Sequence, residues 1–431
     1  MQEPRQVLEP IFRTLVTEMK QKGAMSFSKI MSEMERGFRQ SGHRAAQPGR
    51  TRRRVLIVRL DQIGDNVLNS AFLREFRRAF PEDEIDLLLR PAVRPLFEFC
   101  PYVDHVLRTS FCSSRQADEI FAWIFEVCRD VLWERYYDLC ILPRWDVDET
   151  LSTVLALACG ARERVGFSEN VSPFKSKINH GFDRFLTRAI MTPPYLVHEV
   201  QKDLYLLTAF GAKAASEATE LWLDQASIEA AKQRLQAAGG TPVAVAVSTR
   251  EGRKTYPPEL LAVALRDLLE TDAMFFLLGG PEDQEAAAAV RQALPQERVT
   301  DLAGRTPLRE SAALVALSSF YMGGDTGLTH IAAAAGRPVV EWNAHPLDVA
   351  TSTYSAYINF YPWQTAAIVL RPERALEDCA VMKRGFGEIT GCKSQQGPHC
   401  IRTIDPHKIG QVARTLLQQL EEGKKQGHGR S

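Results

Sequence analysis

Short apolar runs of strand character alternate with longer amphipathic stretches in this chain, and they do so twice. The first series opens at Val55-Leu56-Ile57-Val58 and continues through Ile85 to Leu89, a short run near Val103 to Leu107, Asp138 to Leu142, and Arg164 to Phe167. Helical stretches separate them, over about Asp65 to Phe80, Gln116 to Glu134 and Glu149 to Cys159. Residues 168–195 contain Pro173, Pro193 and Pro194 and read as irregular; a helix over about Val197 to Phe210 closes the series. The second series starts after Gly239-Gly240, with strands over Pro242 to Val247, Ala273 to Leu278, Val299 to Asp301, up to Met322, and from Pro338 to Val340. A last helix is expected over about Pro406 to Glu422. Such alternation predicts parallel sheets covered by helices on both faces. A chain of 431 residues accommodates two domains of this kind.

The second series contains Gly323-Gly324-Asp325-Thr326-Gly327-Leu328-Thr329-His330, where a strand turns into a helix. A helix N-terminus presents unpaired N–H groups and the positive end of a dipole, which suits an anion such as phosphate. Asp325 and Thr326 stand at capping positions, so the same residues would also serve a purely structural helix. Ser248-Thr249-Arg250-Glu251-Gly252-Arg253-Lys254 follows another strand and combines hydroxyls, a glycine and three cations, a set able to grip phosphate. Gly279-Gly280-Pro281-Glu282 ends a third strand. Three strand-end loops of this chemistry in one half read as a single nucleotide site. In the first half, Arg59-Leu60-Asp61-Gln62-Ile63-Gly64-Asp65-Asn66 follows the opening strand. Gly64 permits a tight turn, and Asp65 opens the helix as either a general base or an N-cap. Neither half has Gly-x-Gly-x-x-Gly, which argues against a nicotinamide dinucleotide.

Lys+Arg and Asp+Glu both total 53, so the whole chain has no general attraction for nucleic acid. Residues 1–54 depart from this balance, with twelve Lys/Arg against five Glu. This segment reads as an appended, solvated helical extension, with an anionic membrane surface or an acidic partner as the other destination for its charge. No apolar run approaches the ~20 residues needed to span a bilayer, and the N-terminus lacks the pattern of a secretory signal. A cytoplasmic protein is expected, with Cys100, Cys112, Cys128, Cys140 and Cys159 as free thiols.

The opening strand with Ile63-Gly64-Asp65, the Lys254 loop, and Asp325 to His330 occur in order, and together resemble glycosyltransferase family nine, the heptosyltransferases of lipopolysaccharide core assembly. Tyr137-Asp138-Leu139 and Gly160 to Phe167 add smaller matches, and the resemblance runs from about residue 54 to 420. It implies a GT-B fold, two Rossmann-like α/β domains facing across a cleft. The domains would be an N-terminal extension (1–53), an acceptor domain (54–238), a donor domain (239–404), and a C-terminal crossover helix with its tail (405–431). It implies an inverting, metal-independent transfer of heptose from ADP-heptose to a saccharide or glycolipid acceptor, with no cofactor required. Asp65 would be the general base and Lys254 the contact to the donor phosphates. The remaining donor contacts would come from Gly64, Ser248, Thr249, Arg250, Gly280, Glu282, Gly324, Asp325, Thr326, Gly327 and His330. Arg144, Trp145 and Asp148 are the acceptor-side candidates. The basic arm would be available to the inner membrane surface. Some relatives carry four cysteines near the C-terminus that serve a metal. Here Met382 replaces one, leaving Cys379, Cys392 and Cys400 beside His399, which reads as reduced thiols or as a structural zinc or iron site. Another nucleotide sugar, a protein acceptor, or a non-catalytic nucleotide-binding scaffold are the other readings.

Overall fold

The computed structural model describes residues 4–22, 26–42, 50–114, 116–348, 356–376 and 399–428. The chain divides into two compact units, Met1–Gln62 with Asn69–Glu217, and Ile63–Leu68 with Ala218–Ser431.

In chain order the first series is α1 (Pro4–Lys22), α2 (Phe27–Ser41), β1 (Arg54–Arg59), α3 (Ile63–Ala79), β2 (Glu84–Leu89), β3 (His105–Val106), α4 (Ala117–Val127), β4 (Leu139–Leu142), α5 (Ser152–Ala158), β5 (Glu163–Phe167), α6 (Pro173–Ile178), β6 (Arg188–Ile190) and α7 (Glu199–Tyr205). The second is α8 (Gln225–Ala238), β7 (Thr241–Ala246), α9 (Pro258–Arg266), β8 (Ala273–Leu278), α10 (Gln284–Gln292), β9 (Val299–Asp301), α11 (Leu308–Leu317), β10 (Phe320–Gly324), α12 (Gly327–Ala334), β11 (Val339–Trp342), α13 (Ala356–Asn359), β12 (Ala367–Leu370) and α14 (Pro406–His428).

Each unit has one six-stranded sheet, ordered β3-β2-β1-β4-β5-β6 in the first and β12-β11-β10-β7-β8-β9 in the second. All pairings are parallel. Numbered from its own first strand, each sheet has the doubly wound order 3-2-1-4-5-6. The winding reverses between β1 and β4, and again between β7 and β10. Loops leaving the carboxyl ends of those strands diverge, and ligands of open α/β sheets bind there. The strands are apolar on both faces because helices cover both faces; Phe275, Phe276, Leu277 and Leu278 of β8 are all buried.

Three expectations change. Residues 168–195 are not wholly irregular: Ser172 caps α6 by accepting from the Lys175 N–H, and Arg188–Ile190 completes the sheet. Only three residues long and half-exposed, β6 lacks the apolar run that marks a strand. The boundary falls at Glu217/Ala218, not at Gly239, because α8 precedes β7 and packs on α11. The N-terminal arm is no solvated extension. Leu8, Phe12, Leu15, Met19, Ile30, Met34 and Phe38 lie in the core of the first unit. Gly37 allows the two helices to touch, since a Cβ there would meet Ile11 Cδ1 at 2.8 Å and Leu8 Cδ2 at 2.9 Å. Several basic side chains pair within the hairpin, Arg5 and Arg13 with Glu9, Lys29 with Glu18, and Arg36 with Glu33. The apolar faces of the hairpin are thus turned into the core, and its ion pairs lie on the outer surface. The last helix, α14, puts Ile409, Ala413 and Leu417 into the core of the second unit beside α9. Among the described residues, no helix is long and apolar enough to cross a membrane.

Phe12 has its ring centroid 5.2 Å from Trp133, 5.6 Å from Phe125 and 6.3 Å from Phe121. Phe12→Ala should therefore destabilise the protein by about 3–5 kcal/mol, read from the denaturant midpoint. A cost below about 1 kcal/mol would mean that the hairpin is not part of the cooperative core.

Candidate functional site

The loops at the switch point of the second sheet converge on one ion pair. Lys254 Nζ donates to Asp325 Oδ2 at 2.9 Å and lies 3.2 Å from Glu251 Oε1, while Arg253 reaches Glu251 Oε2 at 2.6 Å. Burial opposes the charge of Lys254, but Asp325 and Glu251 outweigh it and hold the ammonium above its ordinary value. Burial likewise opposes the charge of Asp325, and Lys254 and His330 outweigh it, so the carboxyl titrates below its usual range. The loop is shaped by Thr249, whose N–H donates to Thr255 Oγ1 at 3.2 Å and whose hydroxyl donates to Glu251 O at 2.8 Å. Arg250 is exposed. A side chain at Gly324 would force Thr249 to shift, because a Cβ would meet Thr249 Cγ2 at 2.9 Å.

Thr326 occupies the N-cap position of α12, yet no side chain caps that helix. Its hydroxyl instead lies 3.2 Å from the Tyr321 hydroxyl, which Thr329 also approaches while donating to Gly324 O at 2.6 Å. The first turn of α12, beginning at Gly327, therefore keeps its anion-binding character. His330 in that turn is buried, with Nδ1 lacking a hydrogen-bond partner among the described residues. Burial lowers its pKa against the pull of Asp325, which keeps the imidazole neutral at neutral pH. The segment Ile63–Leu68 groups with this unit. Gly64 is helical there, and its need for no side chain comes from close approach: a Cβ would meet His330 Cδ2 at 2.5 Å. Asp65 stands half-buried in the first turn of α3.

The loop after β8 joins the same layer through Asp283, which the sequence reading passed over. Its Oδ2 accepts the Gly280 N–H at 2.7 Å and its Oδ1 accepts the Ser248 hydroxyl. Glu282 is exposed and folds back over Gly280. Glu341 on β11 was also missed. It is 1% exposed, pairs in register with Gly323, and accepts from Asn343 Nδ2 at 2.8 Å. Burial, reinforced by Asp325, pushes its carboxyl up to about 8. A glutamate inside the apolar run Val339-Val340-Glu341-Trp342 was the signal available. Its raised value stabilises the fold fully below the ordinary 4.5, and that contribution is lost as pH rises through about 8. Glu341→Gln should flatten this slope and melt higher than wild type in mild alkali. Parallel midpoint-versus-pH curves for the two proteins would refute the assignment.

The acceptor-side candidates sit in the first unit, on the loop after β4. Asp148 accepts the N–H groups of Ser152 and Thr153 at 2.9 and 2.8 Å and so anchors the start of α5. Trp145 is buried, donates to Thr192 Oγ1 at 2.9 Å, and lies under Lys202, whose Nζ is 3.6 Å from the ring centroid. Arg144 pairs with Asp61, which also contacts Arg59 Nε at 2.8 Å; Arg59 continues to Glu199 at 2.8 Å and Asp203 at 3.2 Å. Lys175 fixes this loop from beneath by donating to the carbonyls of Trp145 at 3.0 Å and Phe167 at 3.2 Å. Burial brings its ammonium down to about 8. Two of the three candidates thus have structural tasks, and Arg144 remains partly exposed. Cys379 and Cys392 lie outside the described residues; Cys400 Sγ is 3.2 Å from His399 Nδ1.

Two parallel, doubly wound six-stranded sheets in one chain give the α/β architecture of the GT-B fold. Residues 130–358 match the model of glycosyltransferase family 9 (heptosyltransferase), and the chain belongs to that family. It is 22% identical over 283 residues to lipopolysaccharide heptosyltransferase 3 of Escherichia coli, covering 64% of this chain and 79% of that protein. Among solved structures it resembles a family 9 glycosyltransferase from Veillonella parvula, with a TM-score of 0.66 at 18% identity, over 85% of this chain and 97% of the other. It also resembles the ADP-heptose lipopolysaccharide heptosyltransferase II of Escherichia coli, with a TM-score of 0.59 at 19% identity, over 85% and 99% of the two chains. The protein is a glycosyltransferase.

Proposed function

We propose that this enzyme moves a heptose from ADP-heptose to a hydroxyl of a lipopolysaccharide-core-like saccharide, with inversion at the anomeric carbon. The observation that carries this reading is the Lys254–Asp325 pair beside the uncapped N-terminus of α12, at the switch point of the second sheet. Asp65 takes the proton of the acceptor hydroxyl as that oxygen attacks, and ADP leaves from the opposite face. Negative charge then grows on the leaving diphosphate. Lys254 and the α12 N–H groups stabilise it, so no metal ion is needed for the transfer step and no covalent intermediate forms. The relatives' names, lipopolysaccharide heptosyltransferase 3 and ADP-heptose heptosyltransferase II, support the choice of donor and acceptor.

Calorimetric titration with ADP, UDP, GDP and ADP-heptose tests the donor assignment. Selective binding of ADP and ADP-heptose is expected. Preference for UDP or GDP would overturn the donor while leaving the fold class intact.

A further inference from the structure

The edge of the first sheet carries a polar cluster with no part in the transfer chemistry. Glu84 and Asp86 are two residues apart on β2 and so share a face, and Asp86 pairs in register with His105 of β3. Each of the three brings one potential ligand atom within 4.8 Å of the other two. Both carboxylates are oriented through one oxygen. Arg54 Nε donates to Glu84 Oε2 at 2.9 Å, while Arg135 Nη1 and the Tyr137 hydroxyl donate to Asp86 Oδ2 at 2.7 and 2.6 Å.

The second oxygens are differently placed. Glu84 Oε1 lies 3.8 Å from His105 Nε2. Asp86 is 1% exposed, and its Oδ1 has no hydrogen-bond partner among the described residues. A buried carboxylate oxygen without a donor is costly. His105 is half-exposed, and a cavity of about 480 Å³ opens beside it, with Glu84, Asp130 and Glu134 and the cations Arg54 and Arg135 in its wall. Asp130 is already held by Arg129 at 2.7 Å, which leaves Glu134 as the further acidic group facing the cavity.

We propose that Glu84, Asp86 and His105 bind one divalent first-row cation, Zn²⁺ or Mn²⁺, with water from the cavity completing its coordination. One imidazole and two carboxylates form an N/O donor set suited to such ions. Arg54, Arg135 and Tyr137, which hold the other oxygen of each carboxylate, then act as the outer partners that orient the ligands. The task of the ion is structural, because β3 is two residues long and, among the described residues, pairs only with β2. Bridging the two strands would pin that edge.

The test is calorimetric titration of the full-length, chelator-stripped protein with Mn²⁺ and, separately, Zn²⁺. One equivalent of at least one ion should bind, and it should raise the thermal midpoint by mass action. Binding should vanish in His105→Ala and in Glu84→Gln, and weaken by ~10–100-fold in Tyr137→Phe. His105 is on the edge strand β3 and Glu84 is the first residue of β2 beside it, and metal-free unfolding midpoints of all variants verify that they fold. No binding of either ion overturns the proposal. So does binding that persists undiminished in His105→Ala and Glu84→Gln, which would place the ion elsewhere, for instance on the cysteines.

Discussion

Asp65→Asn is expected to slow sugar transfer by roughly 10²- to 10⁴-fold, the contribution of a positioned general base, while leaving ADP affinity unchanged. Asparagine has nearly the same shape and can occupy the same first-turn position of α3, but its amide cannot take the proton of the attacking hydroxyl. The defect should therefore appear in the chemical step alone. Single-turnover transfer with saturating donor, measured beside ADP calorimetry, separates the two quantities. A variant that turns over normally would remove Asp65 from the reaction. A variant that loses ADP binding and turnover together would make Asp65 a donor-site residue instead.

The sheets were legible in the sequence because buried parallel strands are near-continuous apolar runs bounded by turn residues. Val55 to Val58 and Ala273 to Leu278 are such runs, and both are strands. Failures came where that signal is weak. β6 and β12 are edge strands of three and four residues with exposed positions. The N-terminal hairpin misled through its charge: twelve Lys/Arg suggested a solvated arm, whereas the apolar stripe around Phe12 and Met34 decides where it packs. In the site, the loop cations and the Asp325 motif were visible because they stand beside glycines at strand ends. Asp283 and Glu341 were harder. The first acts through a backbone N–H and a hydroxyl on another loop, and the second is one carboxyl within an apolar strand. Asp148 shows the converse case: read as an acceptor-side candidate, it has its oxygens engaged by the start of α5.

Lys254→Met should reduce ADP affinity by roughly 2–5 kcal/mol, the cost of truncating one member of a hydrogen-bonded charge pair, and slow transfer by ~10²–10³-fold. It should also destabilise the fold, because Asp325 would keep its charge in a largely buried place without its cation. The pH dependence identifies the pair. Asp325 is lowered from 3.8, so its contribution is present above that value and lost as pH falls through the folded pKa. Lys254 is raised from 10.5, so its contribution is present below that value and lost as pH rises through the folded pKa. Removing either group should flatten the corresponding limb of the stability curve. The double variant Lys254→Met with Asp325→Asn leaves neither charge unpaired, and it should recover most of the lost stability. It should not recover ADP binding, since nothing in it can hold the diphosphate in place of the ammonium. Recovery of both would show that Lys254 serves only to neutralise Asp325, and would leave the α12 N-terminus as the group that binds the leaving phosphate.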